Sequence, residues 1–328
     1  MPESNAMTYT NLGDTGLDVS RLCLGCMNFG SEQPWMVNDR DASIDLIHGA
    51  LDLGINFLDT ANVYSTGESE DIVGDAVASA NRNELVLATK VFGEMRDGPN
   101  GSGLSRKHIL DQVEASLDRL GTDYIDLYQI HRWDDETPIE ETLSALDHLV
   151  ETGRVRYIGA STMTAYQFTK ALYISDIEDY ERFACMQPEY SAVARHEESN
   201  LLEVCAGEGV GVIPWSPLAG GFLTGKYERD AKPTDGTRGA ASESVRGYFT
   251  EENWAVLDAG RSVAADTEAS PALVSLAWLI GQDTVTAPII GPRSSEHLRE
   301  NVGALSVDLT AEQVDRIAEP KAPRYPSA

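Results

Sequence analysis

The chain has 328 residues, 42% of them hydrophobic and 24% charged, with 28 Gly and 14 Pro scattered along it; this composition supports a sizeable core and excludes collagen, coiled coil and wholesale disorder. Its 53 acidic side chains outnumber 25 Lys and Arg, for a formal charge of −28, and that field repels phosphate backbones and anionic lipid, so neither nucleic acid nor a membrane surface is an expected partner. No run approaches 18 apolar residues, and Met1 to Thr10 carries neither a basic nor an apolar leader segment, so a soluble, cytoplasmic protein is expected.

Among the basic residues only 6 are Lys against 19 Arg. Carboxylates accumulate while flexible ammonium groups are nearly absent, a pattern that suits concentrated salt. There the Debye length shrinks to about 3 Å or less, repulsion is screened, and carboxylates keep the surface hydrated. The chain therefore reads as halophilic.

In chain order, Tyr9 to Val19 reads as a hairpin with Gly and Asp turn chemistry, suited to closing the bottom of a barrel. The next apolar run, Arg21 to Met27, contains Cys23 and Cys26 as a CxxC. Residues three apart on a strand face opposite sides, and no second CxxC completes a zinc set, so these thiols read as structural. The six His lack HxxxH or HExxH spacing, and no metal site is expected.

Eight short apolar runs follow at 22–25, 55–59, 85–90, 125–131, 156–161, 184–188, 211–215 and 287–291. Amphipathic stretches separate them, the sequence form of repeated βα units. Helix starts are marked by Ser105, by Thr164 with Gln167, by Ser270 before Pro271, and by Thr137-Pro138 with Glu140 as a capping box. An open doubly wound sheet would carry a Gly-rich fingerprint after its first strand, whereas this one ends GCMNFG. A single α/β domain over 1–328 is expected, a (β/α)8 TIM barrel with an N-terminal hairpin. The polar stretch 216–249 is too long for an ordinary connection and reads as a lid or a disordered loop.

In such a barrel, chemistry gathers at the C-terminal ends of strands. Asp59 ends INFLD, Tyr64 follows in TANVY, Lys90 ends LVLATK and His131 ends IDLYQIH. Singly each has an ordinary explanation: a loop cap, a core edge, a snorkelling strand end, a satisfied imidazole. Together, from adjacent strands, they converge. A Lys beside a Tyr is expected to lower the phenol pKa from ~10 towards neutrality, and a carboxylate holds that Lys charged. Such an assembly is a general acid for a carbonyl oxygen. Gly220 to Lys226 also fits GxxxxGK, but Tyr227 replaces Ser/Thr and ERDAKPTDG cannot open a helix, so a P-loop is rejected.

The runs LGCMNFG, INFLDTANVYS, ATKVF, QIHRWDDETPIEETLSALDHLVETGRVRYIGAS and IPWSPLAGGFLTGKY resemble the aldo-keto reductases, in the branch of aryl-alcohol dehydrogenase-like enzymes and potassium-channel β subunits. Asp59, Tyr64, Lys90 and His131 fall on that family's catalytic tetrad. The resemblance implies a TIM barrel that binds NADPH and passes hydride to an aldehyde or ketone. It also implies contacts to the nicotinamide carboxamide from Ser161 and Gln187, with Thr162 where Asn is usual, and stacking of Trp215 on the nicotinamide. Ser216, Leu218, Gly220 and Lys226 match the pyrophosphate loop. The end of strand eight supplies Gly291, then Ser294 or Ser295 at a helix start, with Arg293, His297, Glu300 and Asn301 matching positions around the adenine and 2′-phosphate. Arg238 matches a loop Arg that reaches the same phosphate. His297 stands where Arg or Gln is common, and Arg293 where the channel β subunits have Ser.

Two competing classes follow. A nucleotide-binding regulatory subunit with little turnover shares the fold and pocket of the channel β subunits. A barrel isomerase or lyase acting on sugar phosphates needs neither Trp215 nor the nicotinamide contacts. Trp35, Phe92, Trp133, Tyr248 and Phe249 are candidate walls of an apolar substrate pocket.

Overall fold

A computed structural model describes residues 7–321; the first six residues of the segment read above for a leader lie outside it. Strands β1 (Tyr9–Asn11) and β2 (Asp18–Ser20) pair antiparallel. The expected hairpin is therefore present, its turn closed by Leu12 N–H donating to Leu17 O at 2.9 Å. Leu12 and Val19 are fully buried and pack into one cluster with Phe57, Val86, Leu127 and Cys185 from the barrel strands. The hairpin plugs the bottom of the barrel.

Eight parallel strands form the sheet: β3 (Cys23–Gly25), β4 (Phe57–Asp59), β5 (Val86–Val91), β6 (Ile125–Ile130), β7 (Val155–Ser161), β8 (Phe183–Gln187), β9 (Gly211–Val212) and β10 (Ile289–Ile290). Each lies within or against one of the expected runs. They pair in chain order, with β10 returning beside β3. On the other flank Val212 bridges Val285, and Ile289 N–H donates to Pro214 O at 2.9 Å, which closes the sheet into a (β/α)8 barrel. Helices such as Arg106–Leu120, Ile139–Glu151 and Ala165–Glu178 cover the outside.

The strands carry two cores because successive side chains face opposite sides. Cys23, Phe57, Ala88, Leu127 and Cys185 fill the interior, while Leu24, Leu58, Leu87, Tyr128 and Ile158 face the helices. Cys23 falls in the inner set and Cys26 in the outer, both buried and free. Burial pushes both thiols well above their ordinary range. Among the described residues no helix is long and apolar enough to cross a membrane.

Ser105, Thr164 with Gln167, and Ser270 before Pro271 cap their helices as expected. The capping box at Thr137-Pro138 does not form. Pro138 occupies the N-cap place without a side-chain cap, and the Thr137 hydroxyl, one residue too early, donates instead to Asp134 Oδ2 at 2.8 Å. The stretch 216–249 is ordered. It folds into a 3-10 turn at Ala219–Thr224 and short helices at Arg238–Ala241 and Glu243–Arg246. Phe222, Tyr227, Phe249 and Trp254 pin it, with ring centroids 4.7 to 5.7 Å apart. Their burial supplies what the polar remainder of the segment lacks.

Candidate active site

Asp59 closes β4, Lys90 sits in β5, and His131 follows β6 with its backbone N–H on Val91 O at 3.0 Å. Tyr64 opens a tight turn after β4 in which Ser65 and Thr66 both adopt left-handed backbone, φ 47° and 53°. Gly30 faces that turn, and a Cβ there would lie 2.3 Å from Ser65 Oγ. Non-glycine residues in this region cost energy, so packing holds the turn where chain preference would not.

Lys90 is fully buried. Its Nζ donates to Asp59 Oδ2 at 2.5 Å, to Thr60 O at 2.8 Å and to Tyr64 Oη at 3.2 Å. All three donors of the ammonium are thus used. Asp59 Oδ1 accepts from Gln129 Nε2 at 2.9 Å and Gln187 Nε2 at 3.0 Å. Gln187 also donates to Gln129 Oε1, and its backbone carbonyl accepts from Ser161 Oγ at 2.9 Å. Register explains the meeting. Lys90 pairs with Gln129 across β5 and β6, and Gln129 pairs with Gly159 on β7. A Cβ on Gly159 would lie 3.0 Å from Gln129 Cγ and 2.7 Å from Cys185 Sγ, so this glycine leaves the space through which Gln129 and Gln187 reach Asp59.

Burial of Lys90 would lower its pKa, but Asp59 and Tyr64 together hold it above the ordinary value. The ammonium is charged at neutral pH. For Tyr64 the expectation of a pKa lowered towards neutrality is corrected: burial raises it, and the pull of Lys90 in the other direction is smaller. Desolvation disfavours the phenolate more than one neighbouring cation favours it, because Asp59 offsets that cation. Tyr64 therefore holds its proton at neutral pH. Burial, with Lys90 and Arg132 nearby, drives His131 down to about 3, so its imidazole is neutral. Its ring lies edge-on to that of Tyr64, centroids 5.6 Å apart.

A cleft of about 700 Å³ opens above the strand ends with Asp59, Tyr64 and His131 in its lining. Ser161, Gln187, Trp215, Ser216, Leu218, Gly220, Lys226, Arg238, Gly291, Arg293, His297, Glu300 and Asn301 all line the same cleft. Lys90 lies beneath it. Thr162 is also in the wall with left-handed backbone, its hydroxyl 3.1 Å from Ser161 Oγ. Of the two serines read at the last helix start, Ser294 is the cap and accepts from His297 N–H at 3.2 Å.

Lys226, Arg238 and Arg293 form a cationic group. Burial and the two arginines lower the Lys226 pKa, and burial lowers that of Arg238. The Arg238 guanidinium lies 4.7 Å from the centre of the Trp35 ring, and Arg293 donates to Trp35 O at 3.0 Å and Gly236 O at 3.5 Å. Among the described residues no carboxylate pairs with these three cations. Gly221, φ 91°, lies under Lys226, where a Cβ would be 2.4 Å from Nζ.

Of the five aromatic residues read as substrate walls, Trp35 lines the cleft. Phe92 and Trp133 pack against the outer core, Phe249 joins the aromatic cluster, and Tyr248 donates to Glu189. Reading strand ends alone overlooks Gln129 and Arg132. Gln129 carried a signal, as a polar residue sharing a strand face with Leu127, whose side chain fills the barrel interior.

The sequence profile of the Aldo/keto reductase family matches residues 21–321. The chain belongs to the aldo/keto reductase family. It is 38% identical to a versiconal hemiacetal acetate reductase of Aspergillus parasiticus, over 97% of this chain and 98% of that protein. It is 39% identical to the uncharacterized oxidoreductase YrpG of Bacillus subtilis, over 93% of each chain. A putative aryl-alcohol dehydrogenase of Schizosaccharomyces pombe is 35% identical over 96% of each chain. This member of the aldo/keto reductase family is an oxidoreductase.

Proposed function

We propose that the protein is an NADPH-dependent reductase of aldehydes or ketones, with Tyr64 as general acid. The observation that carries this reading is the buried ammonium of Lys90, which bridges Asp59 and Tyr64 beneath the cleft. The residues present fit a dinucleotide phosphate. The cleft has the volume for a large ligand, and its cations lack carboxylate partners among the described residues while being partly desolvated. A polyanion relieves that arrangement. Lys226 with the Gly220–Gly221 turn would hold the pyrophosphate, Arg238 and Arg293 the 2′-phosphate, Ser161 and Gln187 the carboxamide, and Trp215 the ring face.

When bound, the cofactor supplies hydride. The chain's own residues do the rest. The neutral His131 donates one hydrogen bond to the carbonyl oxygen and orients it. Tyr64 gives its proton to that oxygen as negative charge develops there, and Lys90 stabilises the phenolate left behind. Asp59, fixed by two glutamine amides, keeps Lys90 charged and aimed. General acid work of this kind is worth about 10² to 10⁴ in rate. The acidic composition supports a salt-loaded cytoplasm as the setting in which this happens.

Tyr64→Phe tests the reading. The variant should bind NADPH as tightly as the parent and lose at least ~100-fold in kcat for 4-nitrobenzaldehyde, because only the proton donor is deleted. A variant retaining more than about a tenth of the parent kcat would assign the acid elsewhere.

A further inference from the structure

We propose that Arg132 is an anion subsite at the catalytic end of the cleft, and that the preferred carbonyl substrates carry a carboxylate; this rests on the reductase reading above. Arg132 directly follows His131 and lines the same cleft as Tyr64. Its charge acts on His131, helping to hold that imidazole neutral. Arg132 stands over Phe92, while Arg238 and Arg293 stand at Trp35, so the cleft carries positive charge at two places. One is a group of three cations suited to a polyphosphate. The other is a single guanidinium beside the proposed proton donor.

Some arginines of this chain find a carboxylate, as Arg40 does with Asp75, Arg154 with Glu114 and Arg182 with Asp176 and Glu208. Among the described residues Arg132 pairs with none, although Asp134 is two residues away. The Asp134 carboxylate is turned inward, where it accepts from Leu104 N–H, Glu136 N–H and Thr137 Oγ1. Among the described residues the one contact that positions the guanidinium is the ring of Phe92, 5.6 Å from its carbon. A guanidinium braced on an aromatic face keeps its planar fork of donors free and loses less side-chain freedom when a carboxylate takes it bidentately. The overall charge of −28 opposes an incoming anion at long range, but salt screens that repulsion beyond a few ångströms while a direct contact persists. Selectivity for the anion thus depends on this contact.

The test uses 4-carboxybenzaldehyde and its neutral methyl ester, methyl 4-formylbenzoate, which share the reacting group and ring. In ~0.5 M KCl the parent should favour the acid over the ester by about tenfold in kcat/KM, an advantage of the size charge-assisted hydrogen bonds give. Arg132→Met should bring that ratio to about one, and Arg132→Lys should recover part of it. Binding of both compounds, followed by quenching of Trp35 and Trp215 fluorescence, should show the same ratios. Thermal melts confirm that the variants fold. If the parent binds acid and ester equally, or if Arg132→Met keeps the parent's ratio, the subsite is refuted whatever the turnover. If binding discriminates as stated but neither aldehyde is reduced, the subsite stands and the reductase reading falls.

Discussion

Gln129 Nε2 donates to Asp59 Oδ1 at 2.9 Å inside the barrel, and this bond turns the other carboxylate oxygen towards Lys90. Gln129 does not itself line the cleft and reaches it only through Asp59 and Gln187, so it acts as a positioning residue. In Gln129→Leu, Asp59 keeps only Gln187 on that oxygen. A buried hydrogen bond to a charged group is worth roughly 1.5 to 3 kcal/mol, so the melting temperature should fall by several degrees. A purely structural role predicts nothing more. A positioning role also predicts a kcat reduced about tenfold with KM little changed, and an alkaline limb shifted to lower pH as Lys90 loses support. An unshifted limb with unchanged kcat would leave Gln129 as packing.

The pH profile of reduction follows from the three shifts at the site. His131 titrates at about 3, far below the ~6.5 of a free imidazole, so it stays neutral across the working range. Tyr64 and Lys90 are both raised, and reduction needs both protonated, so activity is retained below their pKa values and lost as pH rises past them. The kcat profile should be flat between about pH 5 and 8 and should fall only above ~10. A limb centred near pH 6.5 that disappears in His131→Gln would show the imidazole titrating normally.

Cofactor choice is tested by Arg238 and Arg293. Both lie in the cleft, near Trp35, without acid partners among the described residues. Changing both to Ala should weaken NADPH binding by about tenfold or more, from lost charge-assisted bonds to the 2′-phosphate, and should alter NADH binding by less than about twofold. Fluorescence titration of each cofactor measures this. Equal losses would move the two arginines to the pyrophosphate or to loop stability.

Salt should raise stability. Charges of one sign dominate, and the exposed pairs such as Arg40 with Asp75 and Lys107 with Asp111 contribute little. Circular dichroism melts from ~0.1 to ~3 M KCl should show a rising melting temperature as the Debye length falls from about 10 Å to below 3 Å. Screening saturates near ~0.5 M, so a continued rise reports hydrated cations on carboxylates or preferential exclusion. A melting temperature independent of salt would remove the halophilic reading.

The sequence by itself determined the eight strands, the hairpin plug, three of the helix caps and the convergence of Asp59, Tyr64, Lys90 and His131. All of these follow from local pattern, since periodicity and turn chemistry set an element and its strand ends set one rim of the barrel. Only the tertiary structure decided what each side chain meets. The register Lys90 to Gln129 to Gly159 brings two glutamines onto Asp59. The depth of Tyr64 makes burial outweigh the pull of Lys90. Asp134, reached through the fold of its loop, takes the Thr137 hydroxyl from the capping box and leaves Arg132 unpaired among the described residues. The aromatic cluster orders the segment 216–249 and carries Arg238 to Trp35. Hydrogen-bond partners and pKa shifts are set by distances of a few ångströms between residues far apart in the chain, and a strand pattern of period two carries no record of those distances.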